Sequence, residues 1–211
     1  MYYPVMLDLS EKKCVVIGGG TVALRKVHSL IHSGVTSYVI SPDVHPEIEA
    51  LSKNNQLHWI KRAFKSDDLK GAHVVICATD DPGLNQKAAE EAKRLGCLVN
   101  VVDQPELGNF LVPSVVRRGP LVISISTQGA SPAFARFIRQ KLENQFGAEY
   151  ESWLGMMEKY REKVLKAVPE EEKRKAFFTE VASSDIPRRM SSGMSDQEVI
   201  LYLDETLEKY R

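Results

Sequence analysis

The chain has 211 residues, enough for one domain with an appendage or for two, so any boundary has to come from pattern. Hydrophobic residues make up 43% and charged residues 27%, too apolar and too balanced for wholesale disorder. Lys+Arg and Asp+Glu are both 28, so no global field drives the chain onto nucleic acid or an anionic membrane, and a polyanion has to be met locally.

The opening MYYPVMLDLSEKK lacks a basic start followed by an apolar run, and no apolar run approaches the roughly 18 residues that span a bilayer. The expectation is a cytoplasmic protein without membrane or nucleic-acid partners. Cys14, Cys77 and Cys97 are odd in number and far apart, which argues against a disulfide framework or a zinc site and for small buried hydrophobes.

From Lys13 to Val102 apolar runs alternate with helical patterns, the rhythm of a parallel sheet covered on both faces. The predicted strands are Cys14–Ile17, Ser37–Ile40, Leu57–Ile60, His73–Cys77 and Cys97–Val101. Val22, Ala23, Val27, Leu30 and Ile31 recur at helical spacing after the first, with Gly34 as the stop. Asp81-Pro82 supplies a cap and a proline at the first helical position for a helix to about Leu95. Beyond Asp103 the rhythm changes. Phe110–Pro113 and Leu121–Ser126 read as strands with Arg117-Arg118-Gly119-Pro120 as the turn, and Ser131-Pro132 caps a helix to about Gln145. The remainder, from about Ala148, is helical: one helix starts at Pro169-Glu170-Glu171-Glu172 and the last at a capping box of Ser195 and Glu198, while Ser183–Met194 reads as a mobile connection. The fold class is therefore α/β: an N-terminal Rossmann-type parallel sheet (1–113), a middle α/β dimerisation segment (114–147) and a small C-terminal helical domain (148–211).

The strongest local signal is Val15-Val16-Ile17-Gly18-Gly19-Gly20-Thr21-Val22-Ala23, a G-x-G-x-x-A fingerprint between a strand and a helix. Gly18 permits the tight turn, Gly20 lets a pyrophosphate approach, and Ala23 lets the helix pack on the sheet; Gly19, Thr21 and Val22 complete the loop, with the helix N-terminus facing the phosphates. Asp43 stands 23 residues after Gly20 as the acid for the ribose hydroxyls, or else as a cap for the following helix. No Arg or Lys stands near Asp43 in the sequence, which favours NAD over NADP. The fourth strand ends in Ala78-Thr79-Asp80-Asp81, where Thr79 and Asp80 are expected at the cofactor and Asp81 at the helix cap. At the end of the fifth strand, Asp103 is either a general base or orienter beside a nicotinamide, or a turn residue.

Taken together, Gly18–Lys26, Ala78–Asn85, Asn100–Pro105 and Ser124–Pro132 resemble successive signatures of precorrin-2 dehydrogenases and of the N-terminal module of sirohaem synthases, in order from about Leu7 to Glu143. The resemblance implies NAD-dependent oxidation of precorrin-2 to sirohydrochlorin, a homodimer whose middle segments interlock, and helices over the cleft. Asp103 matches the family's catalytic aspartate, and Ser126, Thr127 and Ser131 fall on the loop that would meet substrate. Two departures stand out: Gly108 where a cysteine is frequent, and Gln128 where a loop glycine is. From Ser114 to Leu142 the chain carries Arg117, Arg118, Arg136, Arg139 and Lys141 and no acid, a cationic stretch suited to a polycarboxylate substrate, with Arg118 and Arg139 as the chosen contacts. Some relatives also insert iron into the product. All five histidines precede the Asp103 region and no metal-ligand cluster is evident, so dehydrogenation alone is expected. The alternatives are a bifunctional dehydrogenase and ferrochelatase, a dehydrogenase for another polycarboxylate, and an NAD-sensing regulatory module. The last would want an effector or DNA-binding domain, and the C-terminal helices show no basic recognition helix.

Overall fold

In the computed structural model, which describes residues 2–211, five short strands form one parallel sheet: β1 Lys13–Ile17, β2 Ser37–Ile40, β3 Leu57–Ile60, β4 Ala72–Cys77 and β5 Leu98–Val101. Their order is β3-β2-β1-β4-β5, so the chain winds outward from β1 in one direction and then in the other. Both faces are buried, which is why the strands read as unbroken apolar runs. Val15, Ile17, Val75, Cys77, Val99 and Val101 pack with Ala88, Ala89 and Ala92 of α3 (Pro82–Arg94), whose small side chains let the helix lie close. The alternate residues Cys14, Val16, Val39, Val74 and Ile76 pack with Ala23, Val27 and Leu30 of α1 (Thr21–Ile31) and Ile48 of α2 (Pro46–Lys53). All three cysteines are free and buried, and burial pushes the thiols of Cys14 and Cys77 up to about 11 and about 12.

Each strand is reached through a residue in the left-handed region: Glu11 (φ 58°), Gly34 (72°), Asn55 (58°), Gly71 (71°) and Gly96 (77°) precede β1 to β5 in turn. At the other edge the register aligns Ile60, Ile40, Ile17, Cys77 and Val101 in one row. The ladder runs one step further, with Ser41 N donating to Ile60 O (3.4 Å), Gly18 N to Ile40 O (3.0 Å), Ala78 N to Ile17 O (2.8 Å) and Val102 N to Cys77 O (3.0 Å).

The chain divides into two compact units, Met1–Val112 and Pro113–Arg211. In the second, β6 (Ser114–Arg118) and β7 (Leu121–Ile125) form an antiparallel pair beside α4 (Pro132–Gln145), and α5 (Glu149–Ala167), α6 (Glu171–Ala182), α7 (Ile186–Ser191) and α8 (Asp196–Glu208) share a core that includes Phe177, Val181, Ile186, Leu203 and Leu207. No helix among the described residues is long and apolar enough to cross a membrane.

Four local expectations need correction. Phe110–Pro113 is not a strand; the strand is Ser114–Arg118, and the turn shrinks to Gly119-Pro120, with Gly119 at φ 54°. Phe110 is instead packed against the core of the first unit. Asp43 does not cap α2; His45 does, its ring nitrogen accepting from Glu47 N at 3.2 Å. The stretch Ser183–Met194 holds a helix, because Ile186 is fully buried and Met190 and Met194 pack on the same core. Finally, β3 and β4 are joined through a single turn of 3-10 helix, Ser66–Leu69, with no α-helix between them; there Arg62 makes a two-pronged ion pair with Asp68 (2.9 and 2.6 Å).

Candidate functional site

Beyond the aligned row, five loops leave the same edge of the sheet, and Gly18–Gly20, Asp43, Thr79, Asp80 and Asp103 all lie on them. The order of the strands reverses between β1 and β4, where open α/β sheets bind ligands. The three glycines there serve different ends. A Cβ on Gly18, at φ 115°, would lie 2.3 Å from Ala78 O, and one on Gly19 would lie 2.2 Å from Asp43 O. Those two glycines let three loops close on one another. A Cβ on Gly20 would meet nothing within 4 Å, and its backbone (φ −77°, ψ −172°) is open to any residue. Neither packing nor conformation in the protein demands Gly20. Behind it, α1 begins with no side-chain cap and no acid in its first turn, leaving its end N–H groups unsatisfied by side chains and its dipole uncompensated. Of the fingerprint residues on α1, Thr21 is exposed, Val22 is half-buried and Ala23 is buried against the sheet.

The β2 loop is tied to the glycines: His45 N donates to Gly19 O (2.7 Å) and Ser41 Oγ to Asp43 O (2.6 Å), leaving the Asp43 carboxylate exposed with no hydrogen bond among the described residues. The register also does what local sequence does not. It sets the end of β3 beside Ser41, where Trp59 Nε1 donates to Ser41 O (3.0 Å) and Lys61 lies over the Trp59 ring. No cation stands near Asp43 along the sequence; the fold sets Lys61 over Trp59, whose indole is bonded to the Ser41 carbonyl of the same loop.

Asp81 is the cap of α3, accepting from Gly83 N (2.9 Å) and Leu84 N (3.1 Å). Thr79 is engaged more than its sequence suggested. Its hydroxyl donates to Asn85 Oδ1 (2.8 Å), and Asn85 Nδ2 donates back to Thr79 O (2.9 Å). Asn85, buried on the first turn of α3, therefore fixes the loop and leaves Asp80 exposed at its tip; the Ala78–Asn85 motif contained it, but its role needed the fold.

Asp103 is exposed and sits at φ 66°, a conformation that Asp tolerates better than most residues. No hydrogen bond or ion pair holds its carboxylate among the described residues. Lys26, half-buried on α1 and likewise without an ion pair among them, has its pKa lowered by burial and by Arg25, with the Asp103 carboxylate opposing the shift. Lys26 was presented by the sequence only as part of a motif. Of the two departures, the first finds a reason and the second does not. A Cβ at Gly108 would lie 2.8 Å from Val99 O, and Gln128 sits at φ 53°, a conformation glycine adopts more readily.

The remaining candidates lie in the second unit. Ser126 Oγ accepts from Gln128 N (3.0 Å), Thr127 Oγ1 from Ser131 N (3.0 Å), and Ser131 Oγ caps α4 by accepting from Phe134 N (3.2 Å). Arg118 donates to Arg117 O (2.8 Å) and to Glu143 O at the end of α4 (3.1 Å), and Arg139 is ion-paired with the Glu143 carboxylate. Glu143 lies one residue beyond the acid-free stretch, so the partner of Arg139 fell just outside it. Among the described residues no three His, Cys, Asp or Glu side chains gather to hold a metal ion.

Residues 5–114 match a family model described as putative NAD(P)-binding, and residues 118–145 match one described as sirohaem biosynthesis protein central. The siroheme synthase of Thioalkalivibrio sulfidiphilus (strain HL-EbGR7) is 36% identical over 208 residues, covering 99% of this chain and 42% of that protein. The siroheme synthase of Pseudomonas putida (strain F1) is 37% identical over 192 residues, 91% of this chain and 42% of that protein. The chain thus spans 42% of the length of these curated relatives. Among solved structures, SirC, precorrin-2 dehydrogenase, superposes with a TM-score of 0.80 at 26% identity, covering 99% of this chain and 100% of that one.

Proposed function

Because the chain belongs to the putative NAD(P)-binding family, we propose that it is an NAD-dependent dehydrogenase that oxidises precorrin-2 to sirohydrochlorin in sirohaem biosynthesis. The observation that carries the reading is at the sheet edge. An uncapped helix N-terminus stands behind Gly20, a glycine with open space over it, and Asp103 leaves the same edge in a left-handed conformation. The choice of substrate is supported by the likeness to SirC over nearly the whole of both chains.

The residues fit a dinucleotide. The N–H groups of Gly20, Thr21 and Val22 receive the pyrophosphate, Gly18 and Gly19 shape the loop, and Ala23 seats the helix. Asp43 takes the ribose hydroxyls and so favours NAD over NADP, and the loop of Thr79 and Asp80 lies against the cofactor. Bound there, NAD supplies the hydride acceptor. Asp103 takes the proton that leaves with the hydride. A guanidinium has five donors, so Arg118 and Arg139 each keep N–H groups for substrate carboxylates, and the hydroxyls of Ser126, Thr127 and Ser131 still have a hydrogen to donate. The exposed phenylalanines of α4 support a homodimer.

The test is purified protein with precorrin-2 and either NAD or NADP, followed by absorbance. Turnover with NAD, together with a fall of roughly 10²-fold for Asp103→Ala at unchanged NAD affinity, is expected. No oxidation with either dinucleotide rejects the function; an unimpaired Asp103→Ala rejects the role of Asp103 alone.

A further inference from the structure

The β5 edge of the sheet is closed by a side chain where a sixth strand would pair. Asn109 Oδ1 accepts from Val99 N (2.7 Å), Asn109 Nδ2 donates to Cys97 O (3.0 Å), and the Asn109 backbone N–H donates to Val99 O (2.9 Å). One residue earlier, Gly108 brings the main chain so close that a Cβ would lie 2.8 Å from Val99 O; one residue later, Phe110 O accepts from Asn100 Nδ2 at 3.3 Å. Between β5 and these anchors runs the loop 102–108, which carries Asp103. The loop itself is tied by Val102 N to Cys77 O (3.0 Å), Leu107 N to Gln104 O (3.1 Å) and Gly108 N to Pro105 O (3.0 Å). None of these ties involves the Asp103 side chain. The location of that carboxylate is therefore set by the backbone of the loop, and hence by where the loop is pinned at its two ends.

One end is pinned by the sheet and the other by Asn109. We propose that Asn109 is a positioning residue for Asp103, its amide fixing the return of the loop so that the carboxylate is held at the reacting atoms. The proposal rests on the reading of Asp103 as the proton acceptor. A misplacement of about 1 Å is enough to cost on the order of 10²-fold in rate, whereas NAD, held at the other loops, should not feel it.

The experiment is a double-mutant cycle read by single-turnover oxidation at saturating NAD and precorrin-2: wild type, Asn109→Ala, Asp103→Ala and the double variant, each with its NAD affinity and thermal unfolding measured. Asn109→Ala should slow the step roughly 10- to 10²-fold with NAD affinity within about twofold of wild type, and the double variant should be no slower than Asp103→Ala alone. Asn109→Asp keeps the acceptor for Val99 N but loses the donor to Cys97 O. It should fall between wild type and Asn109→Ala, and it stands in if the alanine variant fails to fold. A wild-type rate for Asn109→Ala beside a slow Asp103→Ala overturns this proposal and leaves Asp103 in its role. A wild-type rate for Asp103→Ala overturns both. Losses that multiply in the double variant, or failure of both Asn109 variants to fold, make Asn109 structural and also overturn it.

Discussion

Replacing the three loop glycines one at a time should separate what the fold needs from what the ligand needs. At Gly18 a methyl would meet Ala78 O at 2.3 Å, between backbone segments that cannot swing aside, and φ is 115°. The conformation alone costs about 1–3 kcal/mol for a residue with a Cβ, and the collision adds to it, so Gly18→Ala should lose about 3 kcal/mol or more. With about 4 °C of unfolding temperature per kcal/mol for a unit of this size, that is a drop of about 12 °C. Gly19→Ala should behave alike, since its methyl would lie 2.2 Å from Asp43 O. Gly20→Ala meets nothing and keeps an ordinary backbone; exchanging a glycine for an alanine cap should cost only about 0.5–1 kcal/mol, or about 2–4 °C. Its methyl would nevertheless stand where the pyrophosphate must approach, and NAD affinity should fall at least tenfold, about 1.4 kcal/mol. Gly20→Asp adds a negative charge there and should abolish binding. Thermal unfolding and titration of NAD by fluorescence read both quantities. A Gly20→Ala protein that binds NAD as wild type does would refute the ligand reading, and a Gly18→Ala protein that unfolds at the wild-type temperature would refute the steric one.

The ion pair of Arg62 and Asp68, whose acid side chain is 8% exposed, should matter to stability in a pH-dependent way. Arg62 holds the Asp68 carboxyl below its usual range, so the stabilisation is complete above about pH 4 and drains away as pH falls through the lower folded value. Asp68→Asn should cost about 2 kcal/mol at neutral pH, less than for a fully buried pair because Arg62 stays partly exposed, and the deficit should shrink in acid; a deficit that stays constant with pH would count against the pair. Ile186→Ala should destabilise the helical core by about 2–5 kcal/mol, and an unchanged unfolding curve would restore the mobile connection expected from sequence. Phe134 and Phe137, 55% and 47% exposed with ring centroids 6.2 Å apart, are expected to be covered by a second copy, so sedimentation should show a dimer that Phe134→Ser with Phe137→Ser dissociates. A wild-type species of 23.7 kDa at micromolar concentration would contradict this.

Much of the first unit was legible because its information is local. The strand runs are contiguous, and the glycine fingerprint and Asp81-Pro82 specify a turn and a cap within a few residues, as Ser131-Pro132 does in the second unit. What stayed hidden depends on partners far along the chain. Asn109 meets β5 only because the chain folds back on it, and Trp59, with Lys61 over its ring, reaches Ser41 only through the β2–β3 register. Ser183–Met194 has the composition of a linker, yet one buried isoleucine and two packed methionines order it. The acid-free stretch ends at Leu142, and Glu143, the acid that pairs with Arg139, follows directly. Gly108 became explicable once a close approach was visible there, whereas the left-handed backbone at Gln128 accounts for a glycine and nothing in the structure explains the glutamine.

The left-handed residues that precede the five strands all sit on the edge opposite the candidate site. The consequence is a chain that can be edited from one side. The turn at Asn54-Asn55 is exposed and belongs to none of the loops that carry the glycines, Asp43, Thr79 or Asp103. A reporter peptide spliced in there, or new termini opened there by circular permutation, would load only a turn whose ends already lie close together. The protein therefore offers a handle for tethering or labelling at the amino ends of its strands, on the edge opposite the candidate site.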